Sequence, residues 1–173
     1  MNFFPVLVKT NGHRVIVSGG GEQAAWKVEC LIRAGVRVHI VSNTPHPSFN
    51  RWQEHPLVRI SRRTIEPFDL MAGSLIFVAD EVRAQAQEIK GWSEQTGAWI
   101  NVVDKPEWCD FYSMAQIHRG DLVVAIATSG KAPWLAHELK NLLEEVLGNE
   151  WALKVDQAAA QRSTHSSPSP KAQ

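Results

Sequence analysis

A chain of 173 residues is long enough to bury the core of one domain of ordinary size with a small appendage. Its 18 Lys and Arg balance 18 Asp and Glu, so global charge gives no argument for nucleic acid or an anionic membrane surface as a partner. No apolar stretch approaches the ~20 residues of a transmembrane helix, and the first residues lack the charged start and long apolar centre of a signal peptide, which points to the cytoplasm.

Residues 3–8 are an apolar lead-in, and residues 9–14 form a polar turn around Asn11 and Gly12. A strand comes next over residues 15–18. Gly19, Gly20 and Gly21 succeed it, and then a helical pattern begins at Glu22, Gln23 and Ala24. Side chains are missing where the backbone must turn sharply and approach a diphosphate, and the first amides of the helix have no partners within it. Gly19-x-Gly21-x-x-Ala24 fits the dinucleotide fingerprint, with a glycine-rich turn in an α/β domain as the plainer alternative.

The helix, residues 22–34, places Ala24, Ala25, Val28, Leu31 and Ile32 on one stripe, and Gly35 ends it. Cys30 reads as part of its buried face. Residues 36–41 are a second, parallel strand. Where a generic NAD site has Asp or Glu after that strand, this chain has Ser42 and Asn43. Both can hydrogen-bond a ribose, and without a carboxylate NAD over NADP is a preference only.

Residues 49–55 read as a short helix and 57–62 as a short strand, with Arg62 and Arg63 on a solvated edge or, as the less usual reading, in contact with an anion. Residues 74–79 are a continuous apolar strand. An amphipathic helix over 80–96 turns Val82, Ala86, Ile89 and Trp92 to the sheet, and residues 99–103 are the next strand. This alternation predicts a doubly wound parallel sheet with ligands at the carboxyl ends of its strands. Asp104 stands at that edge, as a catalytic carboxylate or as an N-cap for the next turn of chain.

After Asp104 the alternation stops. Cys109 reads as a reduced thiol, with a catalytic cysteine as the less usual alternative. Residues 111–118 and 121–128 are two β-like runs joined at Arg119 and Gly120, a hairpin signal. Thr128, Ser129, Gly130 and Lys131 precede a helix over 134–147, where they could hold an anion or serve as an ordinary N-cap. Residues 149–160 offer a short helical stretch, and 161–173, rich in Ser and Pro, read as a disordered tail. The histidines form no paired metal spacing, so no metal site is assigned.

Three stretches together resemble the precorrin-2 dehydrogenase family of siroheme biosynthesis. They are residues 17–29 with the glycine loop, Asn101 to Asp104 with Cys109, Asp110 and Phe111, and residues 119–133. The resemblance covers roughly residues 3–150. It implies an NAD-binding Rossmann domain over 1–112 and a small α+β dimerisation region over 113–148, making a homodimer. It also implies that NAD⁺ takes hydride from precorrin-2 to give sirohydrochlorin, with Fe²⁺ insertion as a further activity of some members. The aspartate matching Asp104 is then the general base, since loss of hydride must be matched by loss of a proton. Arg119, Lys131 and Lys105 are charge-based candidates for clamping the carboxylate-rich substrate, with Thr128, Ser129 and Gly130 in its loop. Family members commonly carry other residues at Met114, His118, Ser129 and Ala132, and a longer helical segment after the dimerisation region. A dimeric nucleotide- or tetrapyrrole-sensing module, or a chelatase without oxidation, are the alternatives.

Overall fold

The computed structural model describes residues 3–79 and 83–165. The chain divides into two compact units, Met1–Ser113 and Met114–Gln173. Five short strands build the first: β1 (Val15–Ser18), β2 (Val38–Val41), β3 (Val58–Ser61), β4 (Leu75–Val78) and β5 (Trp99–Val102), all parallel in the order β3-β2-β1-β4-β5. This is the Rossmann-like sheet that the alternating pattern predicts. Successive side chains point to opposite faces, so each strand feeds two cores. Val15, Val17, Leu75 and Phe77 join one with helix α1 (Glu22–Arg33), while Ile16, Ile76 and Val78 join the other with helix α2 (Arg83–Thr96).

In α1, Ala24, Ala25 and Val28 are buried, and the helix closes on Gly35 at φ 71°. The Gly35 amide donates to Ile32 O and the Val36 amide to Leu31 O, both at 2.9 Å, which satisfies two terminal carbonyls. Cys30 is exposed, contrary to expectation. At 100° per residue it lies well outside the arc that runs from Leu31 through Ala24 to Ala25. In α2, Ala86 and Ile89 are buried and Trp92 packs against the second core. Val82, and the expected helix start at Asp80, lie outside the described residues.

Residues expected as a helix over 49–55 form a 3₁₀ turn, Pro47–Trp52, which buries Phe49 and Trp52. Arg63 also departs from the solvated edge expected of it. Its NH1 and NH2 donate to the two oxygens of buried Asp69, each at 2.6 Å, and the Glu66 amide donates to Asp69 Oδ2 at 3.0 Å. Burial pushes the Asp69 carboxyl up, but these hydrogen bonds and the adjacent positive charge outweigh it and hold its pKa below the usual value.

The second unit starts with an antiparallel hairpin of β6 (Ala115–Arg119) and β7 (Leu122–Ile126). The turn is Gly120–Asp121, one residue beyond the expected junction, and Gly120 takes φ 58° at its first central position. Helices α3 (Pro133–Val146) and α4 (Glu150–His165) pack on the hairpin, with Ile117 and Ala136 buried. Helix α4 carries residues 161–165, which were expected in the polar tail; the rest of that tail, 166–173, lies outside the described residues. Along α3, Trp134 is 68% exposed and Val146 73%, with Leu139 and Leu142 also open to solvent.

Candidate functional site

The turn after β1 sits in a notch at the carboxyl ends of three strands. Gly19 has φ 125°, and its amide donates to Val41 O at 3.2 Å. A Cβ there would overlap the carbonyl oxygen of Ala79, just past β4. At Gly20 a Cβ would strike Thr44 O and lie 2.5 Å from Ser42 Oγ, and the Gly20 carbonyl already accepts from the His46 amide at 2.7 Å. Both positions therefore exclude any side chain. Gly21 is the N-cap of α1 and offers no side-chain acceptor to the first turn. The first amides of a helix have no acceptor within it, and here they stand at the positive end of 12 residues of helix, behind a bare backbone. That combination fits the oxygens of a diphosphate.

The other nucleotide residues fall into two groups. Glu22 and Gln23 are exposed on the first turn, whereas the Ala24 methyl is fully buried and packs α1 on the sheet. Ser42 is buried and its Oγ accepts from the Thr44 amide at 3.3 Å, so its hydroxyl shapes the turn beside Gly20. Asn43 is exposed at the end of β2, with Oδ1 accepting from Thr44 Oγ1 at 3.3 Å. Of these two, only Asn43 has an exposed side chain.

Asp104 closes the same edge. It is exposed, stands two residues after β5, and adopts φ 58°, a left-handed conformation that non-glycine residues seldom take. Gln23 Nε2 donates to Asp104 Oδ2 at 3.3 Å, so a side chain from the first turn of α1 touches the carboxylate 81 residues away. Backbone strain of this kind collects where a side chain must be aimed. Beside Asp104, Val78, Ala86, Val102 and Val103 floor a cleft of about 210 Å³, with Arg83, Lys105 and Trp108 around it.

Sequence reasoning missed Lys27. It is only 6% exposed, its Nζ donates to Ser113 Oγ at 2.8 Å, and the ammonium lies 5.0 Å from the Phe77 ring centroid. Burial lowers its pKa, against an opposing pull from the Cys30 and Cys109 thiols. The signal was present in the helical period: Lys27 falls one position before Val28 and three after Ala24, on the edge of the buried stripe.

The remaining candidates belong to the second unit. Ser129 and Gly130 take φ 53° and 77° in succession. Thr128 Oγ1 accepts from the Ala132 amide at 3.1 Å and Thr128 O from the Lys131 amide at 3.0 Å, which folds the loop onto the start of α3. Ser129, Gly130 and Lys131 are exposed at its tip. Arg119 is used otherwise than as a clamp. Its Nε donates to Leu147 O at 2.8 Å, NH1 to His118 O at 2.9 Å and NH2 to Glu144 O at 3.5 Å, so the guanidinium caps the carboxyl end of α3. His118 Nε2 lies 3.1 Å from Gln116 Oε1.

Residues 6–115 match the family described as "Putative NAD(P)-binding". The chain is 31% identical over 148 residues to a siroheme synthase of Nitrosomonas eutropha, covering 85% of this chain and 31% of that protein. It is 28% identical to a siroheme synthase of Methylococcus capsulatus, over 99% of this chain and 37% of that one. The chain thus spans about a third of the length of these curated relatives. Among solved structures, "SirC, precorrin-2 dehydrogenase" superposes with a TM-score of 0.80 at 23% identity, over 98% of this chain and 84% of that one, which is a likeness of fold.

Proposed function

The chain belongs to the NAD(P)-binding family that its residues 6–115 match, and from that premise we propose that it oxidises precorrin-2 to sirohydrochlorin in siroheme biosynthesis, with NAD⁺ as the hydride acceptor. The observation that carries the reading is the contact between Gln23 and Asp104, because it ties a carboxylate to the helix turn suited to a diphosphate. The named relatives, siroheme synthases and a precorrin-2 dehydrogenase, supply the substrate class.

Bound NAD⁺ supplies the two-electron acceptor. The chain's own part is positional and protolytic. The backbone at Gly19 and Gly20 and the first amides of α1 would hold the diphosphate, and Asn43 would offer its amide to the adenine ribose. Asp104 takes the proton released as the macrocycle gives up hydride, so that precorrin-2 and NAD⁺ become sirohydrochlorin, NADH and a proton. The exposed tip of Ser129, Gly130 and Lys131, with Thr128 behind it, offers hydroxyls and one cation to the substrate's carboxylates. Lys105, beside the base, offers another.

The protein acts as a cytoplasmic homodimer in this reading. In support, Trp134, Leu139, Leu142 and Val146 leave α3 with several exposed apolar side chains of the kind that an interface covers. Among the described residues, no helix is long and apolar enough to cross a membrane.

The test is anaerobic precorrin-2 oxidation followed by absorbance, with and without NAD⁺ and with no metal added. NAD⁺-dependent formation of sirohydrochlorin supports the reading, and Asp104→Asn should abolish most of it while NAD⁺ still binds. NAD⁺ binding without turnover would favour a sensing module. Fe²⁺ added afterwards to the same cuvette tests insertion, and insertion into supplied sirohydrochlorin without oxidation would favour a chelatase.

A further inference from the structure

β5 ends the sheet, so among the described residues its outer edge has no neighbouring strand. Its backbone groups are met instead by the chain returning from Asp104. The Asp110 amide donates to Ile100 O at 2.8 Å, and Asp110 Oδ2 accepts from the Ile100 amide at 2.9 Å. Two residues further along β5 the partner is a thiol. Cys109 Sγ accepts from the Val102 amide at 3.2 Å and also lies 3.2 Å from both Val102 O and Lys105 O, to which its single proton can be donated. Asn101 Nδ2 donates to Phe111 O at 2.9 Å and approaches the sulfur at 3.6 Å. Cys109 and Asp110 thus imitate a paired strand and blunt the edge.

The loop that the thiol closes runs from Val102 to Cys109, and Asp104 lies within it at φ 58°. The sulfur grips this loop on both sides of the strained residue, at Val102 before it and at Lys105 immediately after. We propose that Cys109 is a positioning residue for Asp104: its S–H group latches the backbone on both flanks and so fixes where the carboxylate points. This rests on the role given to Asp104 above. Burial keeps the thiol's pKa above its ordinary value, with Asp110 and Glu107 adding to the rise against the Val102 amide and Lys90, so Cys109 stays protonated and able to donate at neutral pH. A serine cannot replace it fully, because the shorter C–O bond withdraws the donor from both carbonyls. Alanine removes the latch.

The experiment compares Cys109→Ala and Cys109→Ser with wild type, alone and combined with Asp104→Asn. Loosening a catalytic group in this way should lower kcat by about tenfold or more in Cys109→Ala, while KM for precorrin-2 and NAD⁺ affinity change by less than about twofold. Cys109→Ser should recover part of the loss. In the Asp104→Asn background, Cys109→Ala should cost nothing further, because there is no base left to misplace. Hydrogen exchange on the purified protein reads the latch without turnover: the Val102 amide, which donates to Cys109 Sγ, should exchange faster in Cys109→Ala. In wild type, Cys30 should react promptly with a thiol reagent and Cys109 slowly. Wild-type kcat in Cys109→Ala, a loss that multiplies on that of Asp104→Asn, or equal reactivity of the two thiols would each overturn the proposal. Absence of precorrin-2 turnover in wild type would overturn the proposed function, whereas the exchange and thiol arms would still decide the latch.

Discussion

Gly19→Ala isolates what the notch demands of the chain. Two costs arise at this position. A φ of 125° is one that L-residues rarely adopt, and holding alanine there costs about 1–3 kcal/mol. The new methyl also overlaps the carbonyl oxygen of Ala79, whose amide donates to Ser18 O at 2.8 Å. Relieving the overlap means moving backbone where β1 and β4 pair, for which overpacking gives about another 1–3 kcal/mol. The sum centres on about 4 kcal/mol, a large fraction of the ~5–15 kcal/mol that stabilises an ordinary domain. At roughly 2–4 °C per kcal/mol for a chain of this size, Tm should fall by about 8–16 °C. Gly12→Ala is the matched control, because Gly12 also has a positive φ, 89°, but a Cβ there would meet nothing within 4 Å. It should lose only the conformational part, about 1–2 kcal/mol, and bind NAD⁺ as wild type does. Urea unfolding and calorimetric NAD⁺ titration of both variants give the comparison. Equal stability of the two, within about 0.5 kcal/mol, would refute the steric argument, and unchanged NAD⁺ affinity in folded Gly19→Ala would refute the placement of the nucleotide.

Two further predictions concern charge. Asp69→Asn breaks the paired contact with Arg63 and should destabilise the protein by about 2–4 kcal/mol near neutral pH. Because the folded-state pKa of Asp69 is depressed, its contribution is present above the ordinary carboxyl pKa and is lost as pH falls through the lower folded value. The urea midpoint of wild type should therefore drop on acidification more steeply than that of Asp69→Asn; parallel curves would refute the assignment. Lys27→Met has the opposite character. The folded pKa of Lys27 is also lowered, so the unfolded chain binds more protons between that value and the ordinary lysine pKa, and wild-type stability should rise with pH across this window. The methionine variant should lack the rise and be as stable as wild type, or about 1–2 kcal/mol more stable, near neutrality. A variant markedly less stable at neutral pH would show that the Ser113 contact outweighs the cost of burying the charge.

What could be seen in the sequence was whatever depends on neighbours along the chain. The glycine spacing, the apolar stripe of α1 and the terminating Gly35 are local patterns, and each strand of the sheet shows as an apolar run between turn signals. The hairpin was visible for the same reason, displaced by one residue because its turn needs glycine at the first central position and Gly120 supplies it. Interactions that depend on distant partners were not visible. Arg119 looks like a free cation in the sequence because the carbonyls it caps are as far as 28 residues away. Cys109 looks like an ordinary thiol because its partners are backbone atoms, which carry no sequence signature. Cys30 is the opposite case, since the helical period already places it outside the stripe. Lys27 escapes notice because a charged side chain is ordinarily solvated.

The strand order explains why these features meet at one edge. From β1 the chain crosses to β2 by way of α1 on one face of the sheet, and from β4 it crosses to β5 by way of α2 on the other. Loops leaving adjacent strands in opposite directions open a crevice between them, and β1 and β4 are that adjacent pair. At Gly19 a Cβ would overlap the carbonyl oxygen of Ala79, which is why no side chain is tolerated at 19. The next strand beyond β4 is β5, which ends two residues before Asp104. Since β5 is also the sheet edge, its outer side is met among the described residues by the returning chain, at Cys109 and Asp110. The loop held at Cys109 is therefore the counterpart of the glycines: one keeps the notch clear of side chains, and under the proposal above the other holds still the carboxylate of Asp104.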